Sequence, residues 1–551
     1  MILGVPRYLC IMFLRKKPNK SGSISVQVIV KTKSRKQHVV RTIGSSRNAD
    51  EIEQLMAKGR KYISDLQGPL LPGLDEEENA VDLFVGALTN AQVKVVGPEL
   101  IFGRLYDYVG YNSIPSEMFR HMVICRLYNP GSKLKTADYL ERYLHVSYDI
   151  SKIYRFLDSL CYRKESANSI AEDADVNKVS TKKTNGKNKP KPDYKSLVEQ
   201  ISYNHTKKVV GGSISVCFYD MTTLYFEATD EDDLRKAGFS KDGKHSNPQI
   251  FLGLLVASGG NPIGYEIYEG NIYEGNTIVP LVKALAERFS FGKPVVVADA
   301  GLLSKKNIDA LTLDGYEYII GARPKSESEN IKERILSLGL KQGNIMEIDK
   351  GNGVRLILSS SEKRAHKDKR MREKGLARLQ KKVKSGKLTK QSINNRGYNK
   401  YLKLNGTVEV SIDMNKFEAD AAWDGIKGYL TNTKLSPQEV IDSYGNLWFI
   451  ERAFRLNKFD LAVRPIYHRL RNRIEGHICI CFTAYTILLE LERILKSANS
   501  DITIHRAQEL TKNMYSISYT HTRSKLVVEK TLGMDAEQCK LYDLVINATQ
   551  A

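Results

Sequence analysis

The amino-acid sequence predicts an α/β fold, and three observations lead to that class. Between residues 206 and 323, three apolar, strand-like runs follow one another, and helical and strand-like runs then alternate. A basic stretch at 324–430 interrupts this pattern before a helix resumes it, and strand-like and then helical patterns come first in the chain. Three strands in a meander followed by alternating helices and strands are the order of a ribonuclease H-like sheet. We therefore expect a ribonuclease H-like core, interrupted by an insertion domain and preceded by a small β module and a helical domain.

Residues 1–66 predict a basic β module that ends in a helix. Three apolar runs are separated by turn signals, and they read "YLCIMFLRKK", "SISVQVIVKTK" and "KQHVVRTIG". Runs of this kind, rich in β-branched residues, are typical of strands. An amphipathic pattern at 49–66 predicts the helix.

Residues 67–163 predict a helical region, and 164–205 predict a linker or a disordered excursion. "SEMFRHMVICRLYN" and "DISKIYRFLDSL" have helical periodicity. "NPGSKLKTADYL" places a turn and two lysines before a helix, which suits either a phosphate contact at the helix N-terminus or an ordinary connector. The linker is predicted because 164–195 contain few large apolar side chains and many Lys, Asn, Ser and Asp residues.

The predicted core lies in two parts of the chain. The first part, 206–323, contains the strand-like runs "SISVCFYDMTTLYFE", "IFLGLLVAS", "PIGYEIYEG", "PVVVADAGL" and "YEYIIGARP". The insertion at 324–430 combines the basic helix "SEKRAHKDKRMREKGLARLQKKVK" with the strand-like runs "NGVRLILSS" and "TVEVSID". The second part of the core is assigned to 431–500, and a C-terminal region to 501–551.

Composition indicates a polyanionic partner. Lys and Arg number 84 against 63 Asp and Glu, a formal net charge of +21. Such a surplus favours nucleic acid as the partner, with a membrane surface as the weaker alternative. The seven cysteines form no C-x-x-C pair, which fits a reducing compartment. The longest apolar run, "HICICFTAYTILLEL", is shorter than the roughly 20 residues that span a bilayer. We expect a cytoplasmic protein without a membrane segment.

The stretch "SPQEVIDSYGNLWFIERAFRLNKFDLAVRP" predicts one amphipathic helix with a carboxylate in its apolar stripe. Ser436 and Glu439 form a capping box. Tyr444, Glu451 and Lys458 lie seven residues apart and should line up on one helix face. On the helix alone, Glu451 has an ordinary interpretation as the partner of an arginine one turn later, Arg455, at a solvated edge.

Two further carboxylates suggest a second interpretation of Glu451. Asp220 and Asp299 each follow a buried, strand-like run, where an acidic side chain needs a reason. In the predicted sheet order these two strands are neighbours, and the helix that carries Glu451 packs across them. Clustered carboxylates favour Mg²⁺ or Mn²⁺, and two such ions stabilise both oxygens of an in-line phosphoryl displacement. The sequence therefore predicts a metal site of Asp220, Asp299 and Glu451.

At these residues the sequence resembles a DDE transposase of bacterial insertion sequences, in the IS-four superfamily and most like its sixteen-thirty-four group. The signature of that superfamily is Tyr, two residues, Arg, three residues, Glu, six residues and Lys. Tyr444, Glu451 and Lys458 match it, whereas Leu447 occupies the arginine position. "YDMTTLYFE", "VVVADAGLLS", "SEKRAHKDKR", "WDGIKGYLTNT" and "VRPIYHRLRNRIEGHI" add to the similarity. Relatives begin near "MFLRKKPNKSGS", which makes Met12 an alternative start to Met1.

The resemblance implies an activity and a set of roles. It implies cleavage of double-stranded DNA at terminal inverted repeats and transfer of the freed 3′-OH into target DNA, with two Mg²⁺ ions that Mn²⁺ replaces. A nucleoid-associated bacterial protein follows from this activity, and the need to pair two ends indicates a homodimer. The basic β module and the helices ahead of the linker suggest end recognition by residues 1–163, with 67–163 as the helical DNA-binding region. Asp220, Asp299 and Glu451 are then the catalytic and metal-binding residues. Expected DNA contacts are Tyr444, Arg455, Lys458 and Arg452, since Arg452 or Arg455 would replace the missing arginine.

Three alternatives remain open on the sequence. A DNA-binding protein descended from a transposase would keep the basic surface without using the acids. A nuclease of the same fold would share the metal site but not strand transfer. A glycosidase with a carboxylate pair belongs to a different class, and it leaves the net charge of +21 without a purpose.

Overall fold

The structure is a computed structural model. It describes residues 11–31, 37–67, 84–161, 193–240, 243, 246–289, 292–302, 304–337, 339–340, 343–386, 388, 392–394, 397–405, 409–520 and 524–550. The chain divides into two compact units, Met1–Gln92 and Val93–Ala551.

The first unit is a three-stranded antiparallel sheet followed by a helix. Its elements are β1 (Ile11–Pro18), β2 (Ile24–Lys31), β3 (Gln37–Ser46) and α1 (Ala49–Gln67). The strands pair in the order β1-β2-β3, and Val26, Val28 and Ile29 of β2 are buried. The turn between β1 and β2 uses Gly22 with a φ of +81°, a conformation that side chains with a Cβ rarely adopt.

The second unit begins with a short strand and a group of helices. These elements are β4 (Val93–Val95), α2 (Arg104–Val109), α3 (Glu117–Tyr128), α4 (Lys133–Leu144), α5 (Ile150–Leu160) and α6 (Tyr194–Val209). Ser116, Ser132, Asp149 and Asp193 cap helices α3 to α6 with side-chain oxygens. Helix α6 begins inside the segment that the sequence assigned to a linker, because Asp193 supplies a helix start there. Residues 162–192, the rest of that assignment, lie outside the described residues.

The centre of the second unit is an eight-stranded mixed sheet. The next elements in chain order are β5 (Val216–Tyr225), β6 (Gln249–Val256), β7 (Pro262–Glu269), α7 (Ile278–Phe289), β8 (Val295–Ala298), α8 (Lys305–Leu313), β9 (Tyr318–Ala322), α9 (Glu329–Ser337), β10 (Ile345–Gly351), β11 (Val354–Ser360), α10 (Glu362–Lys384), β12 (Leu402–Asn405), β13 (Glu409–Ile412), α11 (Met414–Ala419) and β14 (Ile426–Thr431). The sheet order is β10-β11-β14-β9-β8-β5-β6-β7. Strands β5, β6 and β7 form the expected antiparallel meander, and β8 and β9 are added to β5 in parallel. The mixed α/β, ribonuclease H-like core is therefore present.

The structure differs from the sequence prediction in the segment 324–430. Strands β10, β11 and β14 come from this segment or its end, yet they extend the main sheet through antiparallel pairing of β14 with β9. The part of the chain that lies outside the main sheet is therefore shorter than the predicted insertion domain of 324–430. It runs from α10 to α11 and includes the β12–β13 hairpin. Sheet edges accept further strands because their backbone groups are unpaired, and this pairing has no local sequence signal.

The predicted helix after the sheet is two helices with a break between them. Helix α12 covers Pro437–Gly445, with the expected Ser436–Glu439 capping box, and α13 covers Trp448–Arg455. Around the break, the amides of Leu447, Phe449 and Ile450 bond three residues back instead of four, which is the tighter 3₁₀ pattern. The buried face continues across the break, since Val440, Leu447 and Phe454, seven residues apart, are all buried.

The chain then forms a long buried helix and returns to the start of the second unit. The remaining elements are α14 (Arg471–Ser497), α15 (Ile504–Thr511), β15 (Tyr515–Thr520), β16 (Val527–Thr531) and α16 (Ala536–Gln550). Most residues of α14 are buried, and the helix packs against α3 and α5. Strand β15 pairs with both β16 and β4, so the segment 501–551 completes a sheet with Val93–Val95. No helix in the described part of the chain is both long and apolar enough to cross a bilayer.

Candidate active site

Asp220 and Asp299 lie side by side at the centre of the main sheet. Strand β5 pairs with β8 in parallel, with Tyr219 opposite Ala298, so the two aspartates are the next residues along the neighbouring strands. The residues before them are buried, since Cys217, Phe218 and Tyr219 form the interior of β5. Asp299 follows the last residue of β8, whereas Asp220 lies in the middle of β5, which continues with buried residues to Tyr225. The amide of Met221 donates to Asp220 Oδ1 over 2.7 Å.

Glu451 lies on the exposed side of α13. Ile450, Ala453 and Phe454 are the buried face of this short helix. Glu451 is exposed, so the carboxylate does not interrupt the packed face. The buried stripe runs through Leu447, Ile450 and Phe454, so Glu451 lies beside this stripe and not within it.

The three carboxylates line one cavity of about 410 Å³. Tyr444 lines the same cavity, and so do Arg364 and Lys427. Small residues form much of the remaining wall. The cavity therefore combines oxygen ligands with two cationic side chains, a combination that suits a phosphate group bound next to a metal ion.

Tyr444 is bound to one of the carboxylates. Its hydroxyl donates to Asp299 Oδ1 over 2.8 Å, and its ring packs edge-on against Tyr429. Burial and the neighbouring Asp299 carboxylate raise the pKa of Tyr444, so the phenol stays protonated and remains a donor. Gly321 leaves the room that this contact needs, because a Cβ there would collide with the Tyr444 hydroxyl.

Lys427 and Arg364 are site residues that the sequence interpretation did not single out. Lys427 is the second residue of β14, and its Nζ lies 4.3 Å from the centroid of the Tyr444 ring. Burial and the Arg364 charge lower the pKa of Lys427, while Asp299 and Glu451 act in the opposite direction. The available signal was a lone lysine between apolar and small residues in "GIKGYL". Arg364 had no separate signal, because it is one of many basic residues in α10.

The other predicted DNA contacts lie elsewhere. Arg452 forms an ion pair with Glu492 of α14. Arg455 is exposed on α13, and Lys458 is partly buried in the wide helical turn after it, Leu456–Asp460. As far as the described residues show, Arg452, Arg455 and Lys458 do not line the cavity. Of the four expected DNA contacts, the structure therefore brings Tyr444 to the carboxylates and leaves the three cations outside.

The carboxylates offer the right donor atoms for a hard cation but are not closely gathered. Among the described residues, no group of three His, Cys, Asp or Glu side chains is close enough to form a metal site. Carboxylate oxygens are nevertheless the ligands that Mg²⁺ and Mn²⁺ prefer. A cation that joined Asp220, Asp299 and Glu451 would require their side chains to move closer together, and the side chains of Asp299 and Glu451 are exposed.

The chain belongs to the family of the transposase DDE domain. The family model matches residues 211–487, half of the chain, and this range contains all the residues that line the cavity. The cavity and the central sheet are thus parts of a DDE transposase domain, and the expectation of a DDE transposase is confirmed at this level.

Solved transposase structures are similar only at a low level. The chain is similar to the piggyBac transposase in its synaptic complex with hairpin DNA, with 10% identity, a TM-score of 0.37, and coverage of 76% of this chain and 79% of that chain. It is also similar to the Mos1 transposase in its paired-end complex with the left transposon end, with 10% identity, a TM-score of 0.15, and coverage of 48% and 71%. No curated protein sequence matches the chain.

Proposed function

We propose that the protein is a transposase that cleaves DNA at the terminal inverted repeats of an insertion sequence and transfers the freed 3′-OH into target DNA. One observation carries this proposal: Asp220, Asp299 and Glu451 line a single cavity inside the DDE domain. The sixteen-thirty-four-like group of the IS-four superfamily is the proposed relationship within that family.

In the proposed site, Asp220, Asp299 and Glu451 would hold two Mg²⁺ ions, which Mn²⁺ can replace. When bound, such ions stabilise the attacking and leaving oxygens of a phosphoryl displacement. The protein side chains have separate tasks. Tyr444 holds the Asp299 carboxylate in place through its 2.8 Å hydrogen bond, and Lys427 and Arg364 bind the phosphate oxygens of the DNA strand.

The proposed substrate is double-stranded DNA. The net charge of +21 and the basic helix α10, which brings Arg364 to the cavity, support a polyanion on this face. Joining two ends of one element requires both ends to be held together, so a homodimer on paired ends is part of the proposal. Residues 1–163 are the proposed region of end recognition, and the bacterial cytoplasm is the proposed location.

A second candidate is a DNA-binding protein of the same family that does not cleave. The looser arrangement of the carboxylates favours it, since no three of the described acidic side chains already form a metal site. The two candidates predict the same affinity for DNA. They differ in whether DNA that carries the element's ends is cut when Mg²⁺ is added.

The test is cleavage of terminal-repeat DNA by the full chain and by two variants. Asp299→Asn should abolish Mg²⁺- or Mn²⁺-dependent cleavage and leave DNA binding largely intact, because Lys and Arg supply most of the affinity. Asp442→Asn is the matched control, because Asp442 is an exposed acid on the neighbouring helix α12, bonded to Gln438. Cleavage by the Asp299→Asn protein would refute the carboxylate site, and a wild-type protein that binds without cleaving would establish the second candidate.

A further inference from the structure

A second cavity, of about 210 Å³, contains buried cationic groups. It lies in the second unit, between α3, the start of α4, the start of α14 and the loop before α14. Its lining includes Arg126, Ser132, Lys133, Arg464, His468 and His477. The volume is far larger than the 10–15 Å³ or so that a single water molecule needs.

Lys133 and Arg126 are almost completely removed from solvent. Their exposed fractions are 5% and 4%. Among the described residues, none forms a hydrogen bond or an ion pair with the Lys133 ammonium. Arg126 makes two long contacts with backbone carbonyls, those of Leu461 at 3.5 Å and Gly131 at 3.3 Å. A buried cation without a counter-charge is costly, so a bound anion would stabilise this arrangement.

The groups around Lys133 leave its charge uncompensated. Burial and the Arg126 charge lower the pKa of Lys133 to about 7, and only the thiols of Cys125 and Cys481 act against them. Burial, Lys133 and Arg126 lower the pKa of His468 to about 3. The acid that acts on His468 is Asp158, and it already pairs with Arg473 over 2.8 Å.

The start of α4 provides further donors beside His477. The Nε2–H of His477 donates to the Val463 carbonyl over 3.1 Å, so its buried Nδ1, which has no partner among the described groups, is an acceptor and would bind a protonated phosphate oxygen. Ser132 caps α4 by accepting from the Lys135 amide. The amides of Lys133 and Leu134 lie in the first turn and have no intrahelical acceptor. A helix N-terminus with such amides attracts anions.

We infer that this cavity is a phosphate-binding pocket, distinct from the carboxylate site. A phosphate monoester carries close to two negative charges, which matches two buried cations better than a carboxylate does. A phosphodiester within a duplex has a nucleotide on each side, which would keep it from reaching side chains as deeply buried as Lys133 and Arg126. The pocket therefore binds either a terminal phosphate, as on a 5′-phosphorylated DNA end, or inorganic phosphate.

The position of the pocket is compatible with a DNA end, and this part of the inference rests on the proposed function. The Ile466 amide donates to the Tyr225 carbonyl at the end of β5, so the loop that lines the pocket is fixed to the strand that carries Asp220. Five residues of strand separate Asp220 from Tyr225, about 16 Å. Cleavage that frees a 3′-OH also leaves a 5′-phosphate on the other product, so such an end arises in the proposed reaction.

The first test uses the full chain and inorganic anions, and it does not depend on cleavage. Phosphate or sulfate should raise the melting temperature above that in chloride at equal ionic strength, and calorimetry should give saturable binding. Lys133→Met should lower the affinity at least tenfold. Lys135→Gln is the matched control, because it removes an exposed lysine from the same helix turn and should keep the effect. Equal melting temperatures in phosphate, sulfate and chloride would contradict the phosphate-binding pocket. An equal loss of anion affinity in Lys133→Met and Lys135→Gln would contradict it as well.

A second readout separates binding from a structural role. Because an unpaired buried cation destabilises the anion-free protein, Lys133→Met should melt at the same or a higher temperature than wild type in chloride. A lower melting temperature would assign Lys133 a structural role and count against the pocket. If this variant does not fold, Arg126→Leu provides the same anion test, with loss of the phosphate effect expected and retention contradicting the inference.

The last comparison identifies the source of the phosphate. Two single-stranded oligonucleotides of one sequence, with a 5′-phosphate or a 5′-hydroxyl, are bound to wild type and to Lys133→Met. If wild type binds the 5′-phosphorylated strand at least fivefold more tightly than the 5′-hydroxyl strand, and Lys133→Met shows no such preference, the ligand is a DNA end. Binding of inorganic phosphate without such a preference would identify free phosphate as the ligand and leave the cleavage proposal untouched.

Discussion

At the scale of single residues, the hydroxyl of Tyr444 connects the packed interior to the carboxylates. It donates to Asp299 over 2.8 Å, while the ring stays in the core beside Tyr429. Tyr444→Phe keeps the ring and removes a hydrogen bond to a charged group, which is worth about 1.5–3 kcal/mol. Part of that is recovered by water, because Asp299 is exposed. We expect cleavage to slow by roughly tenfold, at about 1.4 kcal/mol per factor of ten, with little change in melting temperature.

Tyr429→Phe is the matched control for this prediction. Its ring occupies the same cluster, but its hydroxyl contacts Ser359 at 3.4 Å and, among the described residues, no carboxylate. Single-turnover cleavage rates should therefore separate the two variants. Equal rates for Tyr444→Phe and wild type would show that the hydrogen bond does not position Asp299 in the reaction.

Lys427 provides a pH-dependent prediction. Its folded-state pKa lies below the usual value, so as pH rises the folded protein loses this proton before an ordinary lysine would. The unfolded chain then binds more protons than the folded one between the two pKa values, and this contribution to stability rises with pH in that window. Cleavage should change in the opposite direction, because the neutral amine no longer attracts phosphate. Lys427→Arg keeps its charge and should extend cleavage to higher pH, whereas Lys427→Met should reduce cleavage at every pH.

Lys434→Met controls for the loss of one positive charge. Lys434 is exposed just after the same strand, β14, and it does not line the cavity as described. Its cleavage profile against pH should match that of wild type. If the cleavage rate of Lys427→Arg falls at the same high pH as that of wild type, a group other than Lys427 controls this fall.

At the scale of elements, the sequence predicted the strands and helices of the core well because each has a local pattern. Strand β6 is buried throughout and reads as an unbroken apolar run, and the capping box at Ser436 is present as expected. The order β7-β6-β5-β8-β9 followed from the sequence order of elements. This order placed Asp220 beside Asp299, so the neighbouring positions of the two aspartates could be predicted without the structure.

The features that were missed depend on contacts between distant parts of the chain. Pairing of β14 with β9 joins residues about a hundred positions apart, and nothing local in "GIKGYLT" identifies its partner. The break between α12 and α13 has no proline or glycine pair at its centre, and the apolar periodicity continues through it. Lys427 enters the site only because β14 joins the sheet, so its role could not be predicted from the sequence alone.

One prediction concerns the contact between β9 and α12. A Cβ on Gly321 would meet the Tyr444 hydroxyl and lie 3.0 Å from the Ala300 backbone nitrogen. Gly321→Ala should therefore move Tyr444 away from Asp299 and lower the free energy of unfolding by about 1–3 kcal/mol. Denaturant unfolding measures this cost. The double variant Gly321→Ala with Tyr444→Phe should regain part of it, because the colliding hydroxyl is gone, and a strictly additive loss would contradict this account.

At the scale of the whole molecule, the excess positive charge should act where DNA passes the catalytic cavity. Helix α10 begins near the cavity at Arg364, and basic residues outnumber acidic ones along its length. At 1.5 Å per residue, Lys381 lies roughly 26 Å farther along the helix, a distance over which duplex DNA presents many phosphates. We therefore expect α10 to follow the DNA backbone away from the site of cleavage.

The measurement is the salt dependence of duplex DNA binding by the full chain. Each lost phosphate contact reduces the slope of log K against log salt by about 0.9, so Lys381→Gln with Lys382→Gln should reduce it by nearly two units. Lys207→Gln with Lys208→Gln is the matched pair, since these are also two exposed lysines in the last turn of a helix. That pair should leave the slope unchanged, because α6 is not expected to contact the duplex. Equal reductions in both pairs would mean that the +21 charge attracts DNA over the whole surface and that α10 does not define its path.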